Sequence, residues 1–295
     1  MKKAAAVAVV TAVAAFLIRV LFHLVSIDPL TGFGSIVSRA SLYILILTAI
    51  IEFAVYPAKK LIWFLRPGIG IRSAPSSGRT VFGFRAGLLT SLTSALAIAE
   101  VVSEGNMAYF FAPRSEALNA GILDASFQWR FIAGVLGIPA GIWLILAARR
   151  EYGRDAVLPG GRLCAALPVL YAIFRVLARY THDGGNPHNE TAAACLASTA
   201  FICILTARFA TFVVSGCSGS SAIYLCRYMI PALICSAAAL PAALPMAFNG
   251  EYVHAGYVVA DVAFAIFCLI NTLSLKADRT VLSDPECTNE VPERE

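Results

Sequence analysis

Residues 253–275 read VHAGYVVADVAFAIFCLINTLSL, an apolar run interrupted by a single acidic residue, Asp261. About 20 apolar residues in a helix cross the hydrocarbon core of a bilayer. Backbone groups in lipid must be satisfied within their own segment, so a long run rich in alanine and leucine reads as a helix. Seven more runs of this kind precede it, at 4–26, 40–57, 81–103, 131–148, 162–180, 191–213 and 222–247. The predicted fold is all-α: a polytopic transmembrane helix bundle of about eight spans filling residues 1–275.

Composition agrees. Hydrophobic residues make up 59% of the 295-residue chain and charged residues 14%, whereas a soluble protein carries about 25% charged residues. The net charge of +5 is no nucleic-acid signal, because the basic residues are segregated by loop. The bilayer is the expected partner, and no nucleic acid is expected.

Lys and Arg in the loops set orientation. With both termini in the cytoplasm, only Arg39, Arg114, Arg130 and Arg179 fall outside, while Arg19, Arg85, Arg175 and Arg227 lie within spans. The remaining basic residues lie on the cytoplasmic side. The expected setting is a cell (inner) membrane. Met1-Lys2-Lys3 imitates a secretory leader, but apolarity resumes through Phe16-Leu17-Ile18, which favours an uncleaved first span. Leu61–Leu65 of the inner loop should lie along the headgroups, and Pro67–Gly78 should be flexible. The outer loop 104–130 should hold a surface helix around Ala117–Phe127. The acidic tail 276–295, with Pro285 and Pro292, reads as disordered and cytoplasmic.

An internal repeat is a further expectation. Arg19-Val20-Leu21 in the first span parallels Arg175-Val176-Leu177 in the fifth. Arg85 before Thr93-Ser94-Ala95 parallels Arg227 before Cys235-Ser236-Ala237. Two parallel four-helix halves, 1–150 and 160–275, would have this pattern. Chance recurrence in alanine-rich sequence is the alternative.

A charge inside a membrane is costly and is usually paired or functional. At a rise of 1.5 Å per residue, Arg19 and Arg175 lie roughly 9 Å below the outer end of their spans. Asp261 and Glu100 belong to the same outer half, His23 and Arg179 stand one turn from the arginines, and His254, Tyr257 and Asp261 form one polar stripe. One reading is a solute-binding or charge layer in which Arg19 and Arg175 hold an anionic group and Asp261 balances it, since a guanidinium fork matches carboxylate or phosphate. The other is that these groups close ion pairs or snorkel to headgroups. Glu52 and Arg85, at matched depth in the inner half, are expected to form an intramembrane ion pair.

Catalytic motifs fare poorly. Gly216-Cys217-Ser218-Gly219 resembles a membrane serine-protease turn, but every histidine falls on the opposite side, out of reach of a nucleophile. His182, Asp183, His188 and Glu190 have ligand chemistry for a divalent metal, as an alternative to an ordinary turn. The eight cysteines show no CxxC, and neither a P-loop nor a dinucleotide fingerprint is present, so no cofactor is expected.

Leu167-Pro168-Val169-Leu170-Tyr171 through Arg175, with Asn186-Pro187 at the next turn, resembles a family of uncharacterised multi-pass membrane proteins of Firmicutes. The chain departs from that pattern at His188-Asn189-Glu190. The resemblance covers about a fifth of the chain, and it implies a bacterial inner-membrane setting but no activity. Taken together, the sequence favours a transporter-like or ligand-binding bundle for a small polar or anionic solute. The alternative is a non-enzymatic membrane partner, an assembly or regulatory subunit with a protein partner or a homo-oligomeric state. A membrane enzyme ranks third, because no nucleophile–base pair survives the sidedness test.

Overall fold

A computed structural model describes residues 2–28, 33–55, 71–73, 77–112, 114–119, 126–149, 160–182, 189–214 and 219–277. The long helices are α1 (Lys2–Val25), α2 (Ile36–Val55), α3 (Ser77–Ser103), α5 (Phe127–Arg149), α7 (Leu167–His182), α8 (Glu190–Val214), α9 (Gly219–Ala239) and α11 (Tyr252–Leu273). Short helices α4 (Arg114–Asn119), α6 (Gly161–Cys164) and α10 (Ala243–Phe248) extend or connect them. Among the described residues, seven helices are long and apolar enough to cross a membrane, and Ile36–Ile51 of α2 adds a shorter apolar stretch. This is a multi-pass, all-helical bundle.

Six helices form a ring. In the order α3, α5, α7, α8, α9 and α11, each packs on the next, and α11 closes back onto α3. Helices α1 and α2 lie outside the ring against α9. The ring therefore draws on both halves of the chain. Its two ends are called here the Ser77 end, where α3 begins, and the Tyr252 end, where α11 begins.

The tightest contact in the ring follows from glycine. Lipid tails are as apolar as leucine, so helices in a membrane associate through close packing of small residues. Gly83, Gly87, Ser91 and Ser94 of α3 run antiparallel to Ala148, Gly141 and Gly137 of α5. A Cβ on Gly87 would stand 2.5 Å from the Gly141 carbonyl oxygen, and one on Gly137 would collide with Ser94 Oγ. Backbone meets backbone because neither helix carries a side chain there.

Inside the ring, toward the Ser77 end, aromatic rings fill the axis. Phe209 is fully buried, with ring centroids of Phe267 at 5.3 Å, Phe264 at 5.9 Å and Trp143 at 6.2 Å, all edge to face. That geometry suits the ring quadrupoles. The outward faces of α1 and α2 expose Val10, Leu17, Leu21, Leu24, Ile44 and Leu47, an apolar surface matched to lipid.

Proline shapes the last crossing. Helix α9 runs through Pro231, but at Pro241 it tightens into a 3-10 turn, Leu240–Ala242, before α10 continues through Pro245. Proline has no amide hydrogen to donate to the preceding turn, so the regular ladder breaks there.

Two expectations need correction, and a third is met in part. In the 104–130 loop a short helix spans Arg114–Asn119, overlapping the start of the expected Ala117–Phe127; residues 120–125 lie outside the described residues, and Phe127 already belongs to α5. Part of the segment 67–78 is ordered as a strand, because Ile71–Ser73 pairs antiparallel with Leu275–Ala277. The tail thus starts from a ladder, which sequence periodicity did not reveal in so short a segment. The segment 61–65 and residues 278–295 lie outside the described residues.

Candidate functional site

Helix α7 carries Tyr171, Arg175 and Arg179 at i, i+4 and i+8, and all three are buried on its inward face. Residues at this spacing share one side of a helix. Helix α11 carries His254, Tyr257 and Asp261, also buried. The two stripes meet at mid-height, because Asp261 lies near the middle of α11.

The meeting point is a forked ion pair. Arg175 Nη1 donates to Asp261 Oδ1 at 2.6 Å and Nη2 to Oδ2 at 3.0 Å. The side chains are 4% and 2% exposed. The Arg175 guanidinium carbon stands 4.5 Å from the Tyr257 ring centroid and 5.4 Å from that of Tyr171, within cation–π range. Ser198 Oγ lies 3.5 Å from Asp261 Oδ2 and 3.1 Å from Ser236 Oγ, so a hydroxyl pair from α8 and α9 backs the carboxylate.

Two small cavities flank Arg175. One, of about 20 Å³, lies toward the aromatic plug and is lined by Tyr171, Arg175, Asp261, Thr90, Thr206 and Phe264 among others. The second, of about 10 Å³, opens toward the Tyr252 end and is lined by Arg175, Arg179, Cys195, Thr199, His254 and Tyr257 together with aliphatic groups. Each has room for about one water molecule. At the rim, the rings of His182 and His254 lie 4.3 Å apart.

A second buried ion pair ties α1 and α2 to the ring. Arg19 is fully buried and donates through Nη1 to Glu190 Oε2 at 3.0 Å. Ser38 Oγ of α2 donates to the same carboxylate oxygen. Phe33 is bridged to Asn189 beside this group, and Gly34 approaches Glu190 so tightly that a Cβ there would strike the carboxylate.

Arg19 and Arg175 therefore do not converge on one anion, because each is already held by a carboxylate of its own. The shared layer resolves into separate clusters. His23, half-buried, places Nδ1 3.0 Å from the Arg19 carbonyl oxygen and stays with α1. Glu100 belongs to a third cluster near the Tyr252 end. There Arg130 Nη1 reaches Glu100 at 3.0 Å and Nη2 reaches Glu104 at 3.2 Å. Arg175, Arg179, His254, Tyr257 and Asp261 do come together. The Glu52 side chain lies outside the described residues. Arg85 is exposed, with its guanidinium 5.4 Å from the Phe82 ring centroid.

The metal alternative is not assembled among the described residues, where no cluster of three ligand side chains occurs. Asp183 and His188, like Cys217 and Ser218, lie outside them, and Glu190 is engaged by Arg19 and Ser38. Sequence reasoning missed Glu190 as the partner of Arg19, Arg130 as a buried centre, and the hydroxyls Ser38, Ser198 and Ser236. Tyr171 was legible in principle, from its i, i+4 spacing to Arg175. No protein-family model matches this sequence, and comparison with curated proteins and with solved structures finds no similar chain.

Proposed function

We propose that this multi-pass membrane protein is a transporter-like bundle that handles a small polar or anionic solute at the Arg175–Asp261 centre. What supports the reading is one relationship: a forked, buried ion pair at mid-height of a six-helix ring, with a basic cavity on one side and an aromatic plug on the other. A charge pair is an expensive way to fill a membrane interior, and hydrophobic residues of similar volume pack as well or better. In this reading the ring is closed on the Ser77 side and is entered from the Tyr252 end. Solute engages Arg175 when the ring loosens enough for Asp261 to yield one arm of the fork.

The reading extends to placement. The loop charges support both termini in the cytoplasm, so the Tyr252 end faces outward, and the resemblance to multi-pass proteins of Firmicutes implies a bacterial inner membrane. Single cysteines at Asp183 and Glu251 should then react with an impermeant thiol reagent from outside. Labelling of the two from opposite sides would overturn the topology.

The decisive experiment is access. In a variant whose native cysteines are replaced, Thr199→Cys should react with a small charged thiol reagent added from the Tyr252 side, and Arg175→Gln should change the rate. Complete protection would overturn the transport reading. It would favour the second reading, a partner or assembly subunit, which draws its support from the closed ion pairs and the one-water cavities.

A further inference from the structure

No acidic residue occurs between Glu190 and Glu251, a stretch that holds all of α8 after its first residue and all of α9. Each of these two helices nevertheless carries an arginine, Arg208 on α8 and Arg227 on α9. Arg227 has contacts of its own. Arg208 makes neither an ion pair nor a side-chain hydrogen bond among the described residues. Instead its guanidinium carbon stands 5.1 Å from the ring centroids of both Tyr224 and Tyr228, one turn apart on the neighbouring helix.

Arg208 belongs to the outer surface of the bundle. Ile204 and Thr211, one turn before and one turn after it, are exposed, and so is Tyr224 across the groove. The groove between α8 and α9 therefore opens toward lipid here. At a rise of 1.5 Å per residue, Arg208 lies about 27 Å along α8 from Glu190, close to the thickness of the hydrocarbon core. It thus stands where hydrocarbon gives way to headgroups at the Ser77 end, a level at which tyrosine is favoured.

The two rings hold the guanidinium by its charge and consume none of its N–H donors. Its fork is left to meet an acceptor, and two phosphate oxygens match it. The acceptor present at this depth in any bilayer is the phosphodiester of a phospholipid, and basic grooves between helices recognise such headgroups. Exposed Arg85 offers a contrast, since it has a single ring, Phe82, on its own helix.

The geometry points to a site for one anionic phospholipid in the leaflet at the Ser77 end, with its phosphate on Arg208 and an acyl chain along Ile204. Selectivity follows from the missing acids. A zwitterionic lipid brings its own cation to the phosphate, and the α8–α9 hairpin has no carboxylate at that level to receive it. The site stands whether or not the ring moves a solute.

The test uses full-length protein purified in nonionic detergent and stripped of lipid. It is titrated with phosphatidylglycerol or phosphatidylcholine while native mass spectrometry counts the lipid retained. One phosphatidylglycerol should be held saturably, and more tightly than phosphatidylcholine. Arg208→Gln should weaken that binding about tenfold or more. Arg208→Lys keeps the charge, loses the fork and should weaken it as well, and it serves where the glutamine variant fails to fold. Arg85→Gln should leave the affinity unchanged, and thermal unfolding in lipid-free detergent verifies that each variant is folded. Equal retention of the two lipids, or equal losses in Arg208→Gln and Arg85→Gln, would reduce the site to general interfacial attraction and overturn it. Wild-type affinity in Arg208→Lys would overturn the fork. Displacement of the lipid by inorganic phosphate would make a soluble anion the ligand and overturn the lipid assignment.

Discussion

Arg175 and Asp261 face each other as two parallel forks, Nη1 to Oδ1 at 2.6 Å and Nη2 to Oδ2 at 3.0 Å, joining α7 to α11 across the ring. Neither side chain reaches the surface. Removing one partner leaves an uncompensated buried charge, which costs far more than the pair contributes. Asp261→Ala should lower stability by about 3–5 kcal/mol. The double variant Arg175→Met, Asp261→Leu should recover most of that loss. Thermal unfolding in detergent measures both, and a double variant no better than the single one would mean that the pair is not what α7 and α11 share.

The Arg19–Glu190 pair has the same character but a different task. Helix α1 lies outside the ring, and among its polar groups Arg19 reaches into it, to the first residue of α8. Glu190→Ala should destabilise by about 3–5 kcal/mol. Ser38→Ala, which removes one hydroxyl from the same carboxylate, should cost less, about 1.5–3 kcal/mol. Equal effects from the two substitutions would contradict this ranking.

Arg130 offers an internal contrast. Its carboxylate partners Glu100 and Glu104 are 27% and 37% exposed, so water screens them. Glu104→Gln should cost no more than about 1 kcal/mol. A loss as large as that of Asp261→Ala would show that exposure does not order these ion pairs.

The glycine seam makes a packing prediction. Gly137→Ala places a methyl group against Ser94 Oγ, and overpacking of this kind costs about 1–3 kcal/mol. Adding Ser94→Gly should restore much of it, because the obstructing atom is a side chain. Gly141→Ala meets Ser91 Oγ and also the Gly87 carbonyl oxygen, a backbone atom, so adding Ser91→Gly should not rescue it. Unfolding temperatures of the two single and two double variants decide the matter.

Much of this architecture was written along the chain. Apolar length located the long helices to within a few residues, seven of them long and apolar enough to cross a membrane among the described residues, because the thickness of lipid and the demand for internal backbone bonding favour one helix per run. The stripe His254, Tyr257 and Asp261 was legible too, since helical spacing puts those residues on one face whatever they pack against. Periodicity along α7 likewise marks Tyr171, Arg175 and Arg179.

Partnership was not legible. Arg19 and Arg175 look alike in sequence, at similar depth in similar spans, yet one meets Glu190 at the mouth of α8 and the other meets Asp261 in the ring. Depth is a one-dimensional quantity, and a span's sequence carries it. Which face of which helix lies opposite depends on order around the ring, and that order is set by close contacts such as Gly87 against Gly141. Local sequence therefore determined how far each charge lies along its helix, and only the tertiary packing decided what stands across from it.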